Sequence, residues 1–115
     1  MVEYIDDNEQ LDRIFHALSD GTRREMLKLM AERERTVSEL AEPFAMSLAA
    51  ASKHVKVLEH AGLLHRTVQG RTHHCRLESD TMAQAMKWLK FYERIWTASF
   101  DALERELMGG LSEDE

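Results

Sequence analysis

Along the first third of the chain, apolar positions recur at helical spacing. Leu11, Ile14, Phe15 and Leu18 form one stripe, and Ser19-Asp20-Gly21-Thr22 interrupts it. Thr22 followed by Glu25 has the capping-box pattern. It predicts a second helix with an inward face of Met26, Leu27, Leu29 and Met30. Glu32-Arg33-Glu34-Arg35 reads as a polar connector. Thr36 and Glu39 repeat the capping-box pattern and open a short third helix around Val37, Leu40 and Ala41. Pro43 lacks a backbone donor and disfavours helix in the residue before it, so the third helix ends about there. Phe44 and Met46 then read as core plugs in the turn. Ser47 caps a fourth helix that runs to about Ala61 and buries Ala51, Val55 and Leu58; Gly62 is a natural stop. Two extended runs, Leu64 to Val68 and Thr72 to Leu77, flank Gln69-Gly70-Arg71 as a β-hairpin. A long helix follows Ser79 and Asp80, over residues 80–107, and Gly109-Gly110 ends it. The fold class is mainly α with a small β-hairpin wing. A single domain is expected over residues 1–115, with 1–7 and 109–115 frayed.

Length and composition narrow the class. A chain of 115 residues supports one domain with a modest core. No apolar run approaches the ~18 residues a membrane span needs. The start MVEYIDDNEQ lacks the charged and apolar regions of a signal peptide. The lone cysteine, Cys75, cannot make an internal disulfide. A cytoplasmic protein with no membrane partner is expected. The net charge of −6 argues against a polyanion as partner until its distribution is read. Residues 1–35 carry 6 basic and 9 acidic groups, net −3, and residues 78–115 carry 4 and 9, net −5. Residues 36–77 carry 5 and 3, net +2, with five of the six histidines. The local field governs binding to a polyanion, and acidic flanks suppress non-specific association.

The positive segment is the one with a short helix, a turn, a second helix and a hairpin. That succession is a winged helix-turn-helix, which lays one helix in the major groove of double-stranded DNA. The outer face of the predicted fourth helix carries Ser47, Ala49, Ala50, Ser52, Lys53, His54 and Lys56. Small residues let a helix sit deep in a groove ~12 Å wide, while serine and lysine reach base edges or phosphates. Thr36 and Ser47, at helix starts, are phosphate anchors. Arg71 stands at the hairpin tip, with Arg66 and Arg76 on the strands, where an arginine enters a minor groove or pairs with phosphate.

Three stretches, FHALSDGTRREML, TVSELAEPFAMSLAAASKHVKVLEHAGLL and GRTHHCRL, resemble the ArsR/SmtB family of prokaryotic winged-helix repressors over residues 10–107. Ser52, His54, Leu58 and Gly62-Leu63 fall at the family's spacing. The resemblance implies a homodimer that binds an imperfect inverted repeat and represses transcription. It places Ser47, Ala49, Ser52, Lys53 and His54 on the DNA face and Arg71 in the wing. The chain departs from the metal-sensing members. Ser38 to Phe44 contains no cysteine or histidine, and the last helix contains no histidine. It looks most like the branch without those metal sites, so no metal and no cofactor are expected. Gly21 stands where the family commonly has proline.

His73-His74-Cys75 is the remaining cluster with metal chemistry. On a strand, His73 and Cys75 share one side and His74 takes the other, and two side chains do not complete a four-coordinate zinc site. A metal- or thiol-responsive sensor using this cluster is one alternative. A winged-helix interaction module that does not touch DNA is another. Nothing has the pattern of a nucleophile motif or a phosphate-cradling loop, so an enzyme is not expected. In the last helix, Met82, Met86, Leu89, Trp96, Phe100, Leu103 and Leu107 make a near-heptad stripe beside Ala85, Trp88, Tyr92 and Ile95. An apolar face this wide wants a partner. Pairing with a second copy, through Leu11 and Phe15 of the first helix and Met86, Leu89, Trp96, Phe100 and Leu103 of the last, gives a two-fold dimer. The sequence names no small-molecule effector.

Overall fold

A computed structural model describes the backbone of residues 2–113 and the side chains of residues 8–109. Residues 1, 114 and 115, on which part of the expected fraying falls, lie outside the described residues. The chain divides into two compact units, Met1–Ala83 and Gln84–Glu115.

The first unit opens with α1 (Val2–Leu18) and α2 (Gly21–Glu32). The start of α2 corrects the expected cap: Asp20, not Thr22, is the N-cap, and its carboxylate accepts from the Arg23 backbone N–H at 3.1 Å. Thr22 already lies inside the helix, one residue after Gly21. That bond to the Arg23 amide is the main reason the Asp20 carboxyl lies below its usual range. Met26, Leu27 and Met30 are buried as expected, while Leu29 is only half-buried.

The polar connector conceals a strand. β1 (Arg35–Thr36) pairs antiparallel with β3 (Thr72–Leu77), which also pairs with β2 (Leu64–Gln69), giving the order β1-β3-β2. A two-residue strand carries too little periodicity to be seen in sequence. The Thr36 capping box forms as expected at the start of α3 (Val37–Ala41). The Thr36 hydroxyl accepts from the Glu39 amide at 3.1 Å, and the Glu39 carboxylate accepts from the Thr36 amide at 3.0 Å. A 3₁₀ turn, Glu42–Phe44, follows with Pro43 in its first turn. Ala45 closes it at φ 51°, a left-handed conformation rare without glycine. Phe44 and Met46 are half-buried rather than core plugs, because the turn they occupy runs along the surface.

α4 (Leu48–His60) begins at Ser47, whose hydroxyl accepts from the Ala50 amide at 3.1 Å. It ends in a Schellman arrangement. Gly62, at φ 79°, donates to the Glu59 carbonyl at 2.9 Å, and Leu63 donates to the Leu58 carbonyl at 3.0 Å. The positive φ is what favours glycine at position 62; a Cβ there would also meet the movable Gln10 amide nitrogen at 3.0 Å. Ala51, Val55 and Leu58 are fully buried and join Ile14, Met26, Leu40 and Leu63 in the core. The hairpin closes over Gly70-Arg71, with Gln69 opposite Thr72 and Gly70 at φ 65°.

α5 (Ser79–Glu113) begins in the first unit and supplies most of the second. It passes through Gly109-Gly110 instead of stopping there. A helix-interior glycine costs only about 1 kcal/mol relative to alanine, and Gly109 is not among the glycines at positive φ that would turn the chain.

Two buried or capping groups make this framework testable. The Glu39 carboxyl is held at about 2, down from 4.5, chiefly by the Thr36 amide and then by Arg33. A carboxyl depressed on folding contributes stability that is whole above its unfolded value and is lost as pH falls toward the folded one. Thermal melts taken from about pH 5 to about pH 2 should show Glu39→Gln flattening this acid limb relative to the unaltered protein. Cys75 is fully buried in β3, and burial pushes its thiol upward. Since the thiolate is the reactive form, a thiol-specific reagent at neutral pH should label Cys75 only in denaturant. Rapid labelling of the native protein would contradict that burial.

Candidate nucleic-acid interface

α3, the 3₁₀ turn and α4 form the helix-turn-helix, and β2 and β3 form the wing. Around α4 the buried row of Ala51, Val55 and Leu58 leaves a distinct outer surface. Ala49, Lys53 and Lys56 are exposed, and Ala50 and Ser52 are half-buried. Neither Lys53 nor Lys56 has an ion pair among the described residues, so both charges are available to a phosphate. Ser47 is exposed and Thr36 half-buried. Each hydroxyl oxygen accepts a capping bond, which leaves its O–H free to donate.

Between α4 and the wing lies an open cleft of about 320 Å³ lined by Thr36, Val37, Ser38, Leu48, Ser52, Arg66, Arg71, Thr72 and His73. It brings together three of the expected contact residues: Thr36, Ser52 and Arg71. Ser47, Ala49, Ala50 and Lys53 are not part of its lining. Lys56 lines a different hollow with Asp12, Arg13, His16, Val57 and His60, between α1 and α4. Arg71 is exposed at the wing tip, also without an ion pair among the described residues.

His54 is the exception on the expected DNA face. It is half-buried, and its Nδ1 lies 3.2 Å from the Arg23 guanidinium and 4.0 Å from the Asp20 carboxylate. Three residues after the buried Ala51, it stands only ~60° from that residue around the helix. It therefore occupies the flank beside the buried row, where α2 packs.

The strand basics divide by role. Arg66 donates to the Glu59 carboxylate at 3.0 Å and approaches His73 Nδ1 at 3.2 Å, which fastens the wing to α4. Arg76 lies 3.7 Å from Glu78. Sequence reasoning missed Ser38, Thr72 and Leu48 as cleft residues. Leu48 gave no signal in the sequence, because at i−3 to Ala51 and i−7 to Val55 it continues the apolar row. It is 58% exposed because it stands at the first position of α4, beyond the end of the buried row.

The alternation expected on β3 is present, with Cys75 opposite Arg66 and His73 opposite Val68. His73 and Cys75 therefore share a face with Arg66, a fixed positive charge that disfavours a metal cation. Among the described residues no group of three or more His, Cys, Asp or Glu side chains is placed to hold a metal ion.

Comparison with known proteins agrees with this geometry. A helix-turn-helix domain family matches residues 18–67, the stretch from the end of α1 into β2. The HTH-type transcriptional regulator Rv2034 of Mycobacterium tuberculosis is 35% identical over 86 residues, covering 75% of this chain and 78% of that protein. The crystal structure of the ArsR family transcriptional regulator RHA00566 superposes with a TM-score of 0.73 at 39% identity, over 78% of this chain and 93% of that one. The homodimeric winged helix-turn-helix DNA-binding domain Mb0332 of Mycobacterium bovis superposes with a TM-score of 0.61 at 28% identity, over 76% and 82%. With its helix-turn-helix, its wing and these relatives, the chain belongs to the ArsR family of winged helix-turn-helix, DNA-binding transcriptional regulators.

Proposed function

We propose that this regulator acts in the cytoplasm as a homodimeric repressor. Each copy lays α4 in the major groove of one half of an inverted-repeat operator. The observation that carries this reading is the exposed line of Ala49, Lys53 and Lys56 beside a cleft that holds Arg71. Small side chains allow close approach, and the lysines neutralise phosphates on either side. Thr36, Ser47, Ala50 and Ser52 complete the contact surface. Arg71 enters the neighbouring minor groove or its phosphates. In this reading His54 supports the surface from behind.

The dimer is supported by α5 itself. From Met86 to Met108 its large apolar side chains are between 42% and 65% exposed, a surface too extensive for a protein at rest in water. Trp96 and Phe100 stack edge to face with centroids 4.7 Å apart, which presents one rigid aromatic platform. Met86, Leu89, Trp96, Phe100 and Leu103 would meet their counterparts in a second copy, with Leu11 and Phe15 of α1 joining them. The Mb0332 domain, to which the chain is similar, is homodimeric. Two-fold symmetry then sets the half-sites about one helical turn, ~34–36 Å, apart.

A gel shift with the DNA upstream of the protein's own gene tests the DNA assignment. Lys53→Ala and Arg71→Ala should each weaken the complex roughly three- to ten-fold at fixed salt. For Lys53→Ala the dependence of log affinity on log salt should become shallower by about one. Sedimentation tests the dimer: Leu103→Asp should leave the helix content unchanged and shift the protein to a single-chain mass.

A further inference from the structure

Arg23 is nine-tenths buried, at 9% exposure, although it stands in the first turn of α2. A buried guanidinium must have hydrogen-bond partners. Its Nε donates to the Ala17 carbonyl at 2.8 Å and its Nη2 to the His16 carbonyl at 3.1 Å. Both carbonyls belong to the last turn of α1, where the helix's own amides no longer reach and its dipole is negative. The remaining arm, Nη1, meets His54 Nδ1 at 3.2 Å. A guanidinium has donors only, so in this contact Nδ1 is the acceptor.

The opposite side of α4 is fastened in the same way. Arg66, with its side chain 14% exposed, donates to Glu59 at 3.0 Å and contacts His73 of the wing. His54 and Glu59 are five residues apart, which separates them by ~140° around the helix. These bonds add direction to what the core contacts supply. Ala51, Val55 and Leu58 lie in one row along the axis, and apolar contact is non-directional. The row sets how deep α4 sits, and hydrogen bonds, which have preferred angles, add a directional restraint on its roll at each flank. A roll of ~10° would move a side-chain head ~5–6 Å from the axis by about 1 Å, enough to break a bond to a base edge.

We infer that Arg23 is a positioning residue for DNA recognition. Acting through His54, and with the Arg66–Glu59 pair on the other flank, it fixes the roll of α4 and so the discrimination between operator and other DNA. The inference rests on the DNA-facing assignment of Lys53 and Lys56. His54 touches no phosphate in this scheme.

The test measures the affinity of the full-length protein for operator and for non-operator DNA across a salt series. The variants are Arg23→Gln, His54→Leu, His54→Asn, the Arg23→Gln/His54→Leu double variant, and Lys53→Ala. His54→Leu should lower operator affinity roughly ten-fold and leave non-operator affinity and the salt slope unchanged. His54→Asn, whose Oδ1 can take the Arg23 N–H, should restore most of the loss. The double variant should be no worse than the weaker single one, since both break the same bond. Should Arg23→Gln fail to fold, the two His54 variants decide alone. A merely structural role would lower the melting temperature with the operator-to-non-operator ratio unmoved, and that outcome overturns the inference. So does a shallower salt slope in His54→Leu, which would make His54 a phosphate contact. If Lys53→Ala leaves both affinity and slope unchanged, the DNA-facing assignment is the part that has failed, and the inference goes with it.

Discussion

One narrow row of buried side chains sets how α4 sits in the first unit. Ala51, Val55 and Leu58 attach α4 to the core along a single line. Because two of the three are small or β-branched, the helix packs closely while most of its circumference stays at the surface. That geometry leaves α4 a surface helix rather than a core helix. It also makes the helix dependent on polar bonds at its ends and flanks. Ser47 caps the start, the Gly62–Leu63 turn closes the finish, and arginines from α2 and β2 hold the sides.

The wing has a similar division of labour. Its sheet is only three strands, and one of them is two residues long. The buried Cys75 and Leu64 attach it to the core, and Arg66 ties it to Glu59. Arg71 at the tip is left exposed, while the arginines nearer the body are committed to carboxylates. Charge and shape therefore converge on the open cleft between wing and helix.

Much of this was legible in the residues. The Thr36–Glu39 box, the Ser47 cap, the Ala51-Val55-Leu58 row and the Gly70 hairpin each follow from a local rule that the surrounding structure also obeys. The departures have equally local reasons. At α2 the helix begins two residues earlier than the Thr22–Glu25 pattern implied: Asp20 caps the Arg23 amide, whereas a cap at Thr22 would have taken the amide of Glu25. β1 was too short for any period to show. Phe44 and Met46 are apolar but sit in a surface turn, where type alone says nothing about depth. Gly109-Gly110 looked like a stop because glycine often ends helices, yet its penalty is modest when neither residue needs a left-handed turn. His54 was expected on the outer face of α4, and its place on the flank could be assigned only once the long-range contact to Arg23 was visible.

α1 ends without a glycine. Ser19 donates to the His16 carbonyl, and guanidinium groups from the next helix take three of the final carbonyls, with Arg24 reaching Leu18 at 2.6 Å. The cap of one helix is thus a side chain anchored in another. When the last turn of α1 opens, Arg23 loses two of its acceptors at once, and the imidazole on α4 loses a fixed donor. Local fraying, usually a private matter for a helix end, here has a mechanical correspondent on the second helix of the helix-turn-helix.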